Sequence, residues 1–369
     1  MSIYLSYHHT DPNFYFSKEK PILFDEWQEI PKIWDMIRSD VDRNSSKGEY
    51  ILTGSSAPKE GITKHSGIGR FNKIKMRTMT LFETGDSTGE VSLENLFNDS
   101  DKPIRGKSSV GLEKLAELII RGGFSGSLNL SEKEAIFANK AYLNLLVNED
   151  IKKIDGVIRN PKKMRALLKS YARNISTSVS DATVKKDMEA EEMKMSDVTF
   201  LDYVNTLQKL FIIDNISAWS PKLRSKTAIR TSERKELADT SIACAALGIT
   251  SKHLLKDLHT MGFLFESLCM HDLRIYANSI GGEIYYYRDK TSLEVDAIIT
   301  LDDDRWCAIE IKLGANRIDE AAENLFKLKN RVDTDKKGEP EFLMVLYGGK
   351  TAYKREDGVL VVPITCLKN

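Results

Sequence analysis

Hydrophobic and polar positions divide the chain into three regions. In the first, up to about residue 130, the apolar run of "PILFDE" at 21–26 predicts a strand that ends in two carboxylates. The next stretch, "PKIWDMIRSDVDR", opens on Pro31 and places Ile33, Trp34, Ile37 and Val41 on one face of a helix. "GEYILTGSS" then predicts a second buried strand, and the strand–helix–strand order points to a parallel α/β sheet. Residues 83–111 are polar and acidic, which predicts a loop-rich connection. "GLEKLAELII" resumes helix, and "RGGF" at 121–124 breaks it with a tight backbone turn.

From 131 to 235 the pattern is helical. "EKEAIFANKAYLNLLVNEDIKKI" and "PKKMRALLKSYARNI" have helical spacing, and "SDATVKKDMEAEE" and "SDVTFLDYVNTLQKLFII" each open on a Ser-Asp cap. Two short helices followed by "LFIIDNISAWSPKLRSKTAIR" resemble a winged helix-turn-helix, with the second as recognition helix. From 236 to 369, helical segments precede three strands ("GEIYYYRD", "LEVDAIITL", "RWCAIEIKL"), a helix ("RIDEAAENLFKLKNRV") and a further strand ("EFLMVLYG"). The expectation is an α/β multidomain chain with units at 1–130, 131–235 and 236–369.

Composition narrows the class. With 369 residues, 41% hydrophobic and 29% charged, the chain reads as soluble and globular, with length for two or three domains. It holds no run of about 18 apolar residues, and its start, "MSIYLSYHHTDPNF", lacks the parts of a signal peptide. Cys244, Cys269, Cys307 and Cys366 are scattered without a C-x-x-C. That speaks against a zinc site or a disulfide framework and for a cytoplasmic location. The net charge is zero, yet residues 151–235 hold 18 Lys and Arg against 10 Asp and Glu. Such a segment is a candidate contact for nucleic acid, through Lys222, Arg224, Lys226 and Arg230; the alternative is a solvated face or a contact between domains.

The carboxylate pair Asp25–Glu26 ends its strand as in many nucleotide hydrolases, where one acid orients Mg²⁺ and the other activates water. Such a site needs a phosphate loop, G-x-x-x-x-G-K-[ST], whose glycines let backbone N–H groups reach the phosphates. The first glycine of the chain is Gly48. Gly106-Lys107-Ser108 and Gly349-Lys350-Thr351 have Asp101 and Met344 where the motif requires its first glycine. From the residues alone, the better reading of Asp25 and Glu26 is that they begin a turn and cap the next helix.

Taken together, "PILFDEWQEIPKIWDMIRSDVD", "YILTGSS", "HSGIGR", "RGGF" and "LRSKTAIRTS" resemble AAA-type ATPases that carry the C-terminal domain of unknown function 4143, along essentially the whole chain and in the family's order. The resemblance implies that Asp25 and Glu26 are the Walker B acids, that Thr53 or Ser55 lies near the γ-phosphate, and that Arg70 is an arginine finger. It also implies that the phosphate loop precedes the part of the family matched here. ATP would then bind only if missing sequence or a partner supplied that loop.

A second site stands on its own residues. The order helix–strand–strand–strand–helix–strand resembles the PD-(D/E)xK nuclease core. Asp296 lies in "LEVDAII", and Glu310 and Lys312 follow fourteen residues on in "IEIK". Residues two apart in a strand face one side, so Glu310 and Lys312 share a site. Asp296 and Glu310 would hold Mg²⁺ or Mn²⁺, and Lys312 would orient or deprotonate the attacking water. Glu266, inside the apolar "GFLFESLCM", matches the helix glutamate of such folds. The alternative is an ordinary Glu–Lys pair on an amphipathic strand.

Three readings remain open. The chain is part of a nucleic-acid-linked AAA protein, with DNA as partner; a catalytically inactive regulatory or interaction protein; or a metal-dependent DNA endonuclease. A homo-oligomer, or a partner supplying the missing ATPase half, is expected for the N-terminal lobe.

Overall fold

The computed structural model describes residues 2–3, 16–44, 47–54, 69–190, 192–221 and 231–369. Strands β1 (Ser2–Ile3), β2 (Ile22–Phe24) and β3 (Tyr50–Leu52) form a parallel sheet in that order. Helix Lys32–Asn44 links β2 to β3, the strand–helix–strand unit that the periodicity predicts. Ile22 and Phe24, two apart, point into a small core with Trp27, Ile33 and Ile37. Trp34 stacks on Trp27 and on Phe71 with ring centroids at 5.1 and 3.9 Å.

An extended strap over residues 71–80 leads from this lobe to the rest of the molecule. Alternation turns Ile74 and Met76 outward (80% and 82% exposed). Lys75 and Arg77 turn inward and meet Asp214 at 2.6 and 2.9 Å, where Arg274 joins them at 2.6 Å. Thr78 Oγ1 pairs with His271 Nε2, and the Leu81 N–H donates to Asp272 Oδ2, both at 2.9 Å.

The middle region is helical, as expected. Ser131 caps Glu132–Leu145 in a box with Glu134, Asn160 and Pro161 start Pro161–Arg173, and Ser196 caps Asp197–Lys209. After Asp181–Ala190 and Asp197–Lys209 the chain forms a sparse ladder, with Ile213 opposite Leu237, Ile216 opposite Arg234, and Thr177 opposite Lys235. Residues 222–230 lie outside the described residues.

Strands β4 (Val91–Ser92), β5 (Gly106–Lys107), β6 (Gly282–Arg288), β7 (Glu294–Leu301), β8 (Trp306–Lys312), β9 (Leu343–Tyr347), β10 (Thr351–Lys354), β11 (Leu360–Pro363) and β12 (Leu367–Lys368) complete the chain. Seven of them make a mixed sheet in the order β5-β10-β11-β9-β8-β7-β6. β6, β7 and β8 are antiparallel neighbours, and helix Ile318–Lys329 returns the chain to β9, parallel to β8. That helix covers one face through Leu325 and Leu328, while the long helix Leu258–Ser279 covers the other through Leu264 and Phe265.

The connection at 83–111 is loop-rich, as expected, and also carries short elements. β4 pairs with β12, helix Leu93–Asn98 follows, and β5 pairs with β10. Two-residue strands are too short to leave a periodic signal. The same pairing explains the two Gly-Lys runs, since Gly106 lies opposite Ala352 and Lys107 opposite Thr351. Gly106-Lys107 is the edge strand β5, Gly349-Lys350 is the bend that leads into β10, and neither opens a helix.

Candidate functional site

β7 and β8 bring the C-terminal candidates together. Glu310 and Lys312 leave the same face of β8, with Lys312 Nζ 2.5 Å from Glu310 Oε2. The β7–β8 pairing ends at Ala297 opposite Ile309. Just beyond it, Asp296 Oδ2 accepts the Ile311 N–H at 2.8 Å and Lys312 Nζ at 3.1 Å. Asn324, on helix Ile318–Lys329, donates to Glu310 Oε1 at 2.5 Å and to the Glu294 carbonyl at 2.6 Å. Glu266 arrives from the long helix. Together they line a cavity of about 470 Å³, walled on another side by residues 176–179 of the middle region.

Arg234 completes the site and was not among the sequence candidates. Only 2% exposed, it sits on the ladder of the middle region and sends its guanidinium across into the acids. Nη1 lies 2.5 Å from Glu266 Oε1 and donates to the Asp296 carbonyl at 3.1 Å. Nη2 reaches Glu294 Oε1 at 3.0 Å and Asp296 Oδ1 at 3.5 Å. The Nη1–Glu266 contact is ionic without hydrogen-bond alignment, and Glu266 Oε1 and, separately, Arg234 Nε are buried without a hydrogen bond. Charged side chains are seldom fully buried unless paired, so "SERKELAD" reads as a solvated stretch, yet Arg234, Lys235 and Glu236 are all buried.

The shared environment drives the acids apart. Burial would raise Asp296, but Lys312, Arg234 and the Ile311 N–H outweigh it and hold its carboxyl below the usual value. Burial, with the neighbouring Asp296 adding to it, pushes Glu310 up to about 8 against the pull of Lys312. Burial also lifts Glu266 well above a normal carboxyl, despite Arg234. Perturbed acids around one cavity are the physical mark of a functional site more than of a stabilising one, because buried ion pairs contribute little to stability.

Carboxylate oxygens are the ligand type that Mg²⁺ and Mn²⁺ take. The arrangement nonetheless does not fit a resident ion. Each acid is turned toward Arg234, Lys312 or Asn324, and among the described residues no group of three or more His, Cys, Asp or Glu side chains is placed to hold a metal.

At the N-terminal lobe, Thr53 Oγ1 donates to Asp25 Oδ1 at 2.6 Å. The Thr53 N–H donates to the Phe24 carbonyl and the Trp27 N–H to the Thr53 carbonyl, at 3.0 and 3.1 Å. This pins Asp25 and Glu26 at the carboxyl end of a parallel strand, where open α/β sheets place ligands. Glu26 is exposed with φ of 50° and contacts Gln28. Arg70 is ion-paired with Asp42. Ser55, Lys222, Arg224, Lys226 and Arg230 lie outside the described residues. The "RGGF" turn acquires a structural account: Gly122 has φ of +70°, and the Gly123 N–H donates to Asp239 Oδ2 at 2.9 Å.

Family models match three stretches of the chain. An AAA domain covers residues 3–85, a Domain of unknown function (DUF8612) covers 112–253, and a Domain of unknown function (DUF4143) covers 261–367. The chain is also similar to two uncharacterized mycobacterial proteins, Mb2031c of Mycobacterium bovis and Rv2008c of Mycobacterium tuberculosis. Each is 21% identical over 282 residues, which is 76% of this chain and 56% of the relative. The chain thus spans little more than half the length of these curated relatives. No helix among the described residues is long and apolar enough to cross a membrane. With an AAA-domain match at one end and a DUF4143 match at the other, the chain has the domain pairing of AAA-type proteins that carry a C-terminal DUF4143 domain.

Proposed function

We propose that this chain is a nucleic-acid-associated member of its family that binds without cleaving. Its C-terminal unit has the PD-(D/E)xK element order, and its acid–lysine site is closed by the protein's own cations. The observation that carries this reading is the Arg234 guanidinium, in ionic contact with Glu266, Glu294 and Asp296. With it in place, a divalent ion and a phosphodiester have no open acid to engage.

Nucleic-acid contact is assigned to the winged part of the middle region. The exposed positions of helix Asp197–Lys209 include Val198 and Leu201, at 79% and 48%, and Asp202 pairs with Arg159. That face is poor in cations, so phosphate contacts are assigned to Lys222, Arg224, Lys226 and Arg230 of the basic segment, as the sequence suggests. In a cytoplasmic setting the chain would bind DNA alone or as a homo-oligomer. ATP turnover at Asp25 and Glu26 would require a partner or further sequence carrying a phosphate loop.

The test is cleavage of linear and supercoiled DNA with Mn²⁺ by the wild type and Lys312→Ala, beside a gel shift at increasing salt. Neither protein should cut, and binding should weaken as salt rises. Mn²⁺-dependent nicking lost in Lys312→Ala would overturn the non-cleaving half. A shift indifferent to salt, or no shift, would overturn the nucleic-acid half.

A further inference from the structure

We propose that helix Glu132–Leu145 is the interface of a homodimer, in which two copies of the chain pack this helix antiparallel across a two-fold axis at Ala141.

Three observations carry it. First, the helix is fixed from behind and bare in front. A capping box of Ser131 and Glu134 starts it, Ala135 and Leu143 are buried, and the Asn139 amide donates to the Ile120 carbonyl at 3.2 Å. The opposite side exposes Phe137 and Leu145, at 76% and 59%. Half-buried Ala141 stands midway between them.

Second, the outer positions at four-residue spacing read Lys133, Phe137, Ala141, Leu145 and Glu149. Residues four apart are neighbours on a helix surface. This series is complementary to its own reverse. Antiparallel pairing about Ala141 sets Phe137 against Leu145 of the partner subunit and Lys133 against Glu149 of the partner subunit. Each contact occurs twice, as a two-fold interface requires. Ala141 meets its own copy at the centre, where a small side chain lets the helix axes approach. Lys133 and Glu149 are exposed, and among the described residues neither has an ion-pair partner. A parallel arrangement would instead set Lys133 against its own copy.

Third, the helix runs on past Leu145 through a π turn, Leu146–Asp150. At 3.6 residues per turn, each four-residue step carries the stripe about 40° round the helix. The wider π turn advances each residue by a smaller angle and so swings Glu149 back toward the line of Phe137, Ala141 and Leu145. Such turns are rare and recur at functional sites. A nucleic acid is a poor occupant of this stripe, which offers one cation, one acid and two large apolar side chains.

One helix face buries less than the standard interface of about 1,600 Å², so the dimer should be concentration-dependent. Sedimentation velocity of the full chain from about 1 μM to about 500 μM should show a monomer–dimer equilibrium. Phe137→Asp should abolish the dimer without lowering the unfolding temperature, because the side chain it replaces is exposed. Lys133→Glu should weaken association severalfold, and adding Glu149→Lys should restore it. All four native cysteines are buried, so Ala141→Cys supplies an accessible thiol at the axis. Mild oxidation should convert that variant into a disulfide-linked dimer. Val198→Cys, at a position 79% exposed on another helix, should stay monomeric under the same oxidation.

A chain that stays monomeric throughout the range overturns the proposal, as does a dimer that survives Phe137→Asp. Failure of Glu149→Lys to rescue Lys133→Glu overturns the antiparallel register, and the proposal with it. Cross-linking at Val198→Cys and not at Ala141→Cys would place the interface on a different helix and overturn it likewise.

Discussion

Replacing Glu310 with Gln should flatten the fall of stability with rising pH. Glu310 is 2% exposed, and burial followed by the Asp296 carboxylate lifts its carboxyl from 4.5 to about 8. A carboxyl whose folded value is raised binds its proton more tightly in the folded state. Its contribution is therefore fully present below about pH 4.5 and is lost as pH climbs through 8. At about 1.36 kcal/mol per unit, the shift would amount to ~5 kcal/mol for a group titrating alone. Lys312 and Asp296 titrate with it, so ~2–3 kcal/mol is expected across the range.

The amide has a pH-independent cost. Lys312 and Asn324 both donate to Glu310, so one of them would face the new NH₂ group, a mismatch of about 1–2 kcal/mol. The decisive quantity is therefore the slope and not the offset. Urea unfolding from about pH 5 to about pH 9, followed by the fluorescence of Trp219 and Trp306, measures it; these rings stack at 5.0 Å against the seven-stranded sheet. The variant should begin less stable and close the gap, or reverse it, by the alkaline end. Parallel curves would refute the assignment of a raised carboxyl to Glu310.

Three further outcomes are expected. Asp214→Asn should lose about 3 kcal/mol in urea unfolding, since it leaves Lys75, Arg77 and Arg274 without their shared carboxylate. Burial opposes Asp214's ionisation, yet Arg274, Arg77 and Lys75 hold its carboxyl well below the usual value. Its contribution is thus present above the unfolded value and lost as pH falls through the folded one, so the deficit should shrink only in strong acid. Gly123→Ala should destabilise by about 1–3 kcal/mol, because a Cβ there would lie 2.0 Å from the Met79 carbonyl oxygen. MgATP should leave the unfolding temperature of the chain unchanged, since no G-x-x-x-x-G-K-[ST] occurs in its sequence; a saturable rise would refute this.

What was legible in the sequence followed from local periodicity. The strands at 282–288, 294–301, 306–312 and 343–347 and the helix between the last two were set by runs of apolar residues and their turns. The meeting of Glu310 with Lys312 followed from strand alternation alone. What was illegible depends on partners far along the chain. Lys75 meets Asp214 across 139 residues, and no spacing rule connects them. β4 and β5 are too short to show a period. Arg234 lies in a charge-rich stretch that reads as solvated, and only folding brings it against Glu266, Glu294 and Asp296.

The family boundaries are not folding boundaries. One match ends at 253 and the next starts at 261, around the Asp257 that separates helix Ser251–Lys256 from the long helix. A single core nevertheless runs from Leu81 to Leu367 and draws on the middle helices and the C-terminal sheet together. The AAA match ends at Gly85, so it already includes Leu81 of that core. A chain begun at residue 261 would lose β5 from the edge of β10, β4 from β12, and Arg234 from the acids. Glu266 would then be a buried carboxylate without its countercharge, and the long helix would lose Leu112–Arg121 and Thr240–Leu247 packed against it. Such a fragment should be insoluble or molten, detectable as dye-binding apolar surface without near-ultraviolet dichroism. Its inactivity toward DNA would report the loss of assembly and not the chemistry of Asp296, Glu310 and Lys312.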